Sequence, residues 1–117
     1  MKPVIDDFLP LAPATLHILL SLAGEKMYGY AIMQEVARQS EGRFKLGPGT
    51  LYDNLQRLMK QGLVEETAGR SDDDSSRRRY YRLTGLGRGV LTAEIDRLRE
   101  VVHQGDAYLK PLRPRRT

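Results

Sequence analysis

Two groups of side chains in the sequence have the chemistry to recognise a polyanion. The first lies in residues 47–64, where Asp53, Asn54, Arg57 and Lys60 recur between apolar residues on the polar face of a predicted helix. Amide, guanidinium and ammonium groups can hydrogen-bond base edges, so a short helix that carries them outward has what a reader of the DNA major groove requires. An ordinary amphipathic surface helix shows the same pattern, and the pattern alone leaves both interpretations open.

The second group is a cluster of arginines in and beside a polar loop at residues 68–78, namely Arg70, Arg77, Arg78 and Arg79. Guanidinium groups bind phosphate in a bidentate geometry or enter a narrow minor groove. The alternative is a solvated loop in which the three aspartates of residues 72–74 neutralise the arginines. A metal site built from those aspartates is a third interpretation, disfavoured because adjacent residues in a loop rarely converge on one ion.

The residue patterns of an enzyme are missing from this sequence. It contains no cysteine, which excludes a thiolate nucleophile, a disulfide and a cysteine-bound zinc site. We find no paired carboxylates, no nucleophile with a base, and no phosphate-binding glycine loop at plausible spacing. His17 has no other metal-type ligand nearby in sequence and is interpreted as a core or surface histidine. We therefore predict a protein that is not an enzyme and that carries no cofactor and no metal.

Length and charge further limit the class of protein and the kind of partner it can have. A chain of 117 residues with 29% charged residues predicts one globular domain. No apolar run approaches the roughly 20 residues of a membrane span, and the N-terminus lacks a secretory signal, so we predict a cytoplasmic protein with no membrane partner. Residues 70–117 contain twelve basic and seven acidic residues, whereas residues 1–69 contain seven and eight. This basic half favours a nucleic acid partner, although a membrane surface or solubility would look similar.

The elements that position both groups follow from hydrophobic periodicity and from residues typical of helix ends. In chain order they are an anchored arm at 1–11, helices at 14–23, 30–39 and 48–61, and strands at 63–67 and 79–83. Three helices followed by a hairpin predict a mainly α fold with a small β-hairpin, the winged helix-turn-helix. In that fold the third helix enters the major groove, and the hairpin tip, or wing, reaches the backbone or the minor groove.

The last predicted element is a helix that begins at Thr84, a suitable N-cap, and runs toward residue 109. Its apolar residues form a heptad seam, Leu91, Ile95, Leu98, Val102 and Leu109. A helix of about 26 residues extends roughly 39 Å, farther than a core of three short helices can cover. We therefore predict a homodimer, with packing of the seam inside one chain as the alternative. The predicted units are a DNA-binding domain with its arm at 1–83, a dimerisation helix at 84–110, and a basic disordered tail at 111–117.

Three motifs and the final helix follow one another in a distinctive order. The motifs are YGY at residues 28–30, PGTLYDNLQRLMKQGLVE at residues 48–65 and RRRYYRLTGLG at residues 77–87. Together they closely resemble the PadR family of bacterial transcriptional regulators, in its compact subfamily with a single C-terminal dimerisation helix. The resemblance covers about residues 12–104, and a chance match to all the motifs in this order is improbable.

The resemblance implies a dimeric repressor that binds double-stranded DNA at a palindromic operator and is often released by a small-molecule effector or a stress signal. It implies that the outward residues of the third helix read the major groove, namely Thr50, Tyr52, Asp53, Asn54 and Arg57. Tyr28 and Tyr30 would support that helix or touch phosphate, whereas Tyr80 and Tyr81 would be structural.

The same resemblance bears on ligands. The chain has no tryptophan, which argues against the mode in which flat aromatic ligands stack between subunits. Because the short C-terminal region resembles the compact subfamily with one dimerisation helix, any effector pocket is expected between the last helix and the first. A different class of function also stays open at this point: a winged helix can act as a protein-interaction adaptor, which would not distinguish an operator from a random duplex.

Overall fold

The computed structural model describes residues 4–69 and 78–110. These residues form a short 3-10 helix, four α-helices and three strands. In chain order they are the 3-10 helix Ile5–Phe8, α1 Pro13–Gly24, β1 Met27–Tyr28, α2 Gly29–Gln39, α3 Pro48–Lys60, β2 Val64–Thr67, β3 Tyr80–Leu83 and α4 Gly85–Leu109. The predicted mainly α fold with a small hairpin is confirmed, and β1 is an element that the sequence patterns did not predict.

Local signals in the sequence explain where α3 ends and where α4 begins. Gly62 adopts a φ of 78°, a left-handed conformation that favours glycine, and it ends α3 as predicted. The N–H of Leu63 then donates to the carbonyl of Leu58 at 2.9 Å and turns the chain into β2. Thr84 is the N-cap of α4, because its hydroxyl accepts a hydrogen bond of 2.9 Å from the N–H of Gly87. The predicted cap is therefore confirmed.

One apolar core joins all the helices and the hairpin. In α3 the predicted stripe is confirmed, since Leu51, Leu55 and Leu58 are buried while the opposite face is open to solvent. The other helices and the strands contribute the remaining buried apolar side chains: Ile18, Leu19, Leu22, Ile32, Val36, Leu63, Val64, Tyr81, Val90 and Leu91. The core thus holds α3 by one face and leaves its polar face available.

The three strands form an antiparallel sheet in the order β1, β3, β2. Within the hairpin Val64 lies opposite Leu83 and Thr67 lies opposite Tyr80. On the other edge of β3, Met27 lies opposite Tyr81 and Tyr28 lies opposite Tyr80. Because β1 leads directly into α2, this pairing ties the start of α2 to the base of the wing.

The N-terminal arm is anchored on the apolar core and on α4. Ile5 and Phe8 are partly buried against the core, as the predicted arm with anchoring side chains requires. Farther along, the N–H of Leu11 donates to Oε2 of Glu94 at 2.8 Å. Glu94 is 1% exposed, and the guanidinium of Arg97 donates to both of its carboxylate oxygens. The arm and α4 are therefore joined by one buried, fully hydrogen-bonded carboxylate.

Glu94 should make the stability of the fold sensitive to acid. The hydrogen bonds from Arg97 hold the pKa of Glu94 below its ordinary value, with burial opposing them and the Leu11 N–H adding to them. A lowered pKa in the folded state stabilises the fold above the unfolded pKa, about 4.3, and this contribution is lost as the pH falls through the folded value. We expect Glu94→Gln to show a smaller loss of unfolding free energy than the wild type between about pH 6 and pH 3.

Urea denaturation at a series of pH values measures this difference. Asp96→Asn is the matched control, because Asp96 also pairs with an arginine of its own helix at 3.0 Å but is exposed to solvent. Parallel pH curves for the wild type and Glu94→Gln would contradict the assignment.

The predicted seam on α4 divides into two parts. Leu91 is buried at 6% exposure, so the prediction that it lies between two chains is wrong. Ile95 is partly buried against the same core, and its place in a dimer seam stays a prediction. Within the chain, α4 packs against α1 and against the 3-10 helix of the arm. Leu98 is half-buried, and Val102 and Leu109 are 61% and 48% exposed. This second part of the seam is therefore the part more open to a partner.

In the part of the chain that the structure describes, no helix combines the length and the apolar character needed to cross a membrane.

Candidate nucleic-acid interface

The open face of α3 carries most of the residues predicted to read DNA. Thr50, Asp53 and Arg57 are exposed, and the side chain of Tyr52 is 44% exposed. They project from a helix whose opposite face is buried in the core, so their backbone positions are fixed by packing. This face is short, polar and convex, as insertion into a groove requires.

Asn54 departs from the predicted arrangement. It is 8% exposed, and the prediction that it points outward is wrong. Its Nδ2 donates to the carbonyl of Thr50 in the same helix at 2.8 Å, and its Oδ1 accepts from the hydroxyl of Thr15 on α1 at 3.3 Å. Positions three and four residues apart share a helix face, and Asn54 stands between Leu51 and Leu58 on the buried one. Asn54 is therefore a bridge between α1 and α3.

Arg57 lies at the edge of this bridge. Its Nη2 donates to Oδ1 of Asn54 at 2.5 Å and approaches the hydroxyl of Thr15 at 3.4 Å. The arginine is exposed, so the guanidinium has one side held by the protein and the other open to solvent. The residue that the sequence singled out for base contact is thus partly fixed in orientation.

A cleft of about 650 Å³ opens beside α3, between the start of α2 and the base of the wing. We call it the tyrosine-arginine cleft, since its lining consists of Tyr28, Gly29, Tyr30, Tyr52, Arg78, Arg79 and Tyr81. Phenolic hydroxyls and guanidinium groups are both hydrogen-bond donors, and the guanidinium groups are always charged. The chemistry of this lining is therefore suited to binding an anionic group such as a phosphate.

Stacking holds one wall of the cleft. The guanidinium carbon of Arg78 lies 4.2 Å from the centre of the Tyr28 ring, a cation–π geometry. Tyr28 in turn meets Tyr80 edge to face, with ring centres 5.6 Å apart. Arg79 is less constrained, because its Nε is 3.8 Å from Oε1 of Glu66 and both side chains are largely exposed. An exposed pair at that distance contributes little and can exchange for phosphate.

The floor of the cleft explains why glycine stands between the two tyrosines of the YGY motif. A Cβ built on Gly29 would overlap the hydroxyl of Tyr52. Gly29 thus allows the ring of Tyr52, from the reading helix, to rest against the first turn of α2. Tyr81, at 2% exposure, closes the floor, which agrees with its predicted structural role.

Burial also sets the ionisation of Tyr81. Removal from water raises the pKa of the Tyr81 hydroxyl above its ordinary value, and the neighbouring Tyr52 and Glu66 raise it further, while Arg79 acts in the opposite direction. The phenol therefore stays neutral at physiological pH and adds no negative charge to a cleft that would hold an anion.

Lys26 is a site residue that the sequence patterns missed. Its Nζ donates to the carbonyl of Ala68 at 2.8 Å and lies 5.7 Å from the centre of the Tyr80 ring. The lysine therefore supports the point where the wing leaves the sheet. Its place directly before Met27 and the YGY motif is the one signal that could have suggested this role. Two predicted phosphate contacts of the wing, Arg70 and Arg77, lie outside the described residues, as do the three aspartates.

A sequence model described as the transcriptional regulator PadR-like family matches residues 18–93, which span α1 to the middle of α4. The chain belongs to the PadR-like family. PadR-like proteins are transcription regulators and not enzymes, so the predicted lack of catalytic function is confirmed together with the resemblance seen in the sequence.

Relatives of this PadR-like chain include the transcriptional regulator Rv3488 of Mycobacterium tuberculosis, which is 34% identical over 93 residues, 80% of this chain and 82% of that protein. A PadR family transcription regulator of Clostridium difficile has the same fold with a TM-score of 0.71 and 24% identity, over 84% of this chain and 99% of the other. A PadR-like transcriptional regulator of Bacillus cereus gives 0.70 and 24%, over 82% and 90%. The region that the family model matches includes α3 and all the residues that line the cleft.

Proposed function

We propose that this PadR-like regulator is a sequence-specific DNA-binding repressor that acts as a homodimer on a palindromic operator. The observation that carries the proposal is the position of Tyr52, which belongs to the open face of α3 and also lines the tyrosine-arginine cleft. A surface for base edges and a cleft for an anion are therefore continuous on one side of the molecule. Duplex DNA presents these two features together, since each groove is bordered by phosphates.

The two surfaces have separate tasks in this proposal. Thr50, Asp53 and Arg57 on α3 enter the major groove, where a guanidinium donates to the acceptor edge of guanine and a carboxylate accepts from cytosine. Arg78 and Arg79 bind backbone phosphate, together with hydroxyl groups from Tyr28 and Tyr30. Phosphate contacts set the position of the protein, and the contacts of α3 set the choice of sequence.

The homodimer rests on the open half of α4. Val101 and Tyr108 are 54% and 78% exposed and lie beside Val102 and Leu109, so an apolar stripe continues to the end of the described helix. A two-fold pair of such helices would bury the stripe and present two copies of α3 to successive major grooves, about 34 Å apart. Repression and its release by a small molecule or a stress signal are carried over from the family resemblance.

Separate alanine variants of the two surfaces should behave differently. Arg57→Ala is expected to weaken binding to the operator about 10–100-fold with little effect on a shuffled duplex, because one base-specific contact is worth roughly 1–3 kcal/mol. The double variant Arg78→Ala and Arg79→Ala should weaken both duplexes similarly and reduce the slope of log affinity against log salt by about two. The operator is the duplex that the wild type enriches from a random-sequence library, and affinities are measured by fluorescence anisotropy.

Arg88→Ala is the control for these variants. Arg88 is an exposed arginine of α4 that donates to the carbonyl of Ala23, away from the cleft. Its removal lowers the net charge by the same amount as Arg57→Ala and should leave the preference for the operator unchanged. Equal binding of the wild type to operator and shuffled duplexes would instead support a protein-interaction adaptor.

A further inference from the structure

Asn54 and Thr15 form the bridge between α3 and α1. The inference drawn from this bridge concerns DNA sequence specificity, and it rests on the proposed DNA-binding function. We propose that Thr15 and Asn54, neither of which can reach DNA, are positioning residues that orient the Arg57 guanidinium and thereby set the preference of the protein for its operator. The specificity of α3 then depends in part on a buried hydroxyl of α1.

The two oxygens that accept hydrogen bonds from Arg57 belong to buried residues. Thr15 is 6% exposed and Asn54 is 8% exposed, so the oxygen atoms that meet Arg57 are largely shielded from water. A hydrogen bond from a charged donor is stronger than one between neutral groups, and shielding strengthens it further. The amide of Asn54 is itself fixed by its bond to the carbonyl of Thr50, which leaves Oδ1 directed at Thr15 and Arg57.

An arginine on a helix surface otherwise samples many rotamers. Holding such a side chain in one geometry costs side-chain entropy, which opposes binding. Both contacts of Arg57 use the same nitrogen, Nη2, so Nε and Nη1 keep their N–H donors for a base edge. The bridge therefore orders the guanidinium before DNA arrives without using the donors that would read the base.

Thr15→Val tests the proposal because it removes the hydroxyl and keeps the shape of the side chain. We expect the ratio of operator to shuffled-duplex affinity to fall roughly two- to tenfold, the range that corresponds to one net hydrogen bond. In an Arg57→Ala background the same substitution should leave the ratio unchanged, since the residue being positioned is gone. An unchanged ratio in the single variant, or equal losses in both backgrounds, would overturn the proposal.

Ser21→Ala is the matched control. Ser21 is a buried hydroxyl on the same helix, at 3% exposure, and it bonds to the carbonyl of His17 and to Gln39 of α2 instead of to α3. This variant should leave the ratio of affinities at the wild-type value. A rise in the ratio for Thr15→Val would mean that the bridge holds Arg57 away from DNA, which is the opposite of the proposal.

A second measurement needs no DNA. The NMR order parameter of the Arg57 Nε–H group reports side-chain motion directly. It should be higher in the wild type than in Thr15→Val, and equal values would overturn the proposed ordering even if the protein had no operator preference. A wild type that fails to distinguish duplexes while Arg57 is ordered would contradict the proposed function and leave the ordering intact.

Discussion

Replacing Val102 with aspartate is expected to convert the protein into a monomer and to weaken operator binding by roughly two orders of magnitude or more. Val102 is 61% exposed in the single chain, so a carboxylate there is hydrated and the chain still folds. Across a two-fold seam the same carboxylate would lose its water and face its own copy, which opposes association by several kcal/mol. A monomer can contact only one half-site of the operator, so the avidity of two linked contacts is also lost.

Light scattering coupled to size exclusion measures the first effect, and fluorescence anisotropy measures the second. Ala107→Asp is the matched control, because Ala107 is exposed on the same part of α4 and lies on the side of the helix away from Val102. Leu98 is less suitable as a probe, since it is half-buried in its own chain and its loss would also weaken the fold. A dimer mass retained by Val102→Asp would place the interface elsewhere.

Signals that act within a few residues could be predicted from the sequence. The spacing of Leu51, Leu55 and Leu58 was enough to define the buried face of α3, because helical periodicity is a local property. Thr84 could be assigned as a cap for the same reason, since the hydroxyl and the N–H of Gly87 that it accepts from are three residues apart. Gly62 predicted where α3 ends, because the left-handed conformation that ends a helix favours glycine.

Features that depend on a distant neighbour could not be predicted. Asn54 is polar and was assigned to the outer face, yet Thr15, 39 positions earlier, offers it a partner inside. Leu91 fits a heptad seam, and only the folded core shows that its own chain covers it. β1 is two residues long and exists because β3 lies beside it. In each case a tertiary contact decided between two interpretations that were locally equivalent.

In the candidate site, too, local features could be predicted from the sequence, whereas features that depend on distant contacts could not. Arg57 could be assigned to an outer surface from residue type and helical phase, and the family resemblance implied the same for Tyr52. The structure leaves both exposed. The tyrosine-arginine cleft could not be foreseen as one site, because Tyr28 and Arg78 are 50 positions apart and meet only through the β1 and β3 pairing. Sequence patterns identified the chemical groups, and the sheet determined which of them share a cleft.

Replacing Gly87 with alanine should destabilise the fold by about 3 kcal/mol, even though the same change inside a helix is ordinarily favourable by about 1 kcal/mol. A Cβ at this buried position would overlap the carbonyl oxygen of Leu63 and lie 2.9 Å from its carbonyl carbon. Both are backbone atoms, so they cannot move aside as a flexible side chain would. The same carbonyl accepts the N–H of Thr84 at 3.1 Å, which ties the cap of α4 to this contact.

Urea and thermal denaturation measure the effect of Gly87→Ala, and a shift of this size lowers the melting temperature by roughly 10–20 °C. Gly85→Ala is the matched control, since Gly85 is on the same first turn of α4 and a Cβ there would meet nothing within 4 Å. That variant should be neutral or slightly more stable than the wild type. If both alanine variants gained stability, the first turn of α4 could not be seated on Leu63, and the packing that fixes α4 relative to α3 would have to be revised.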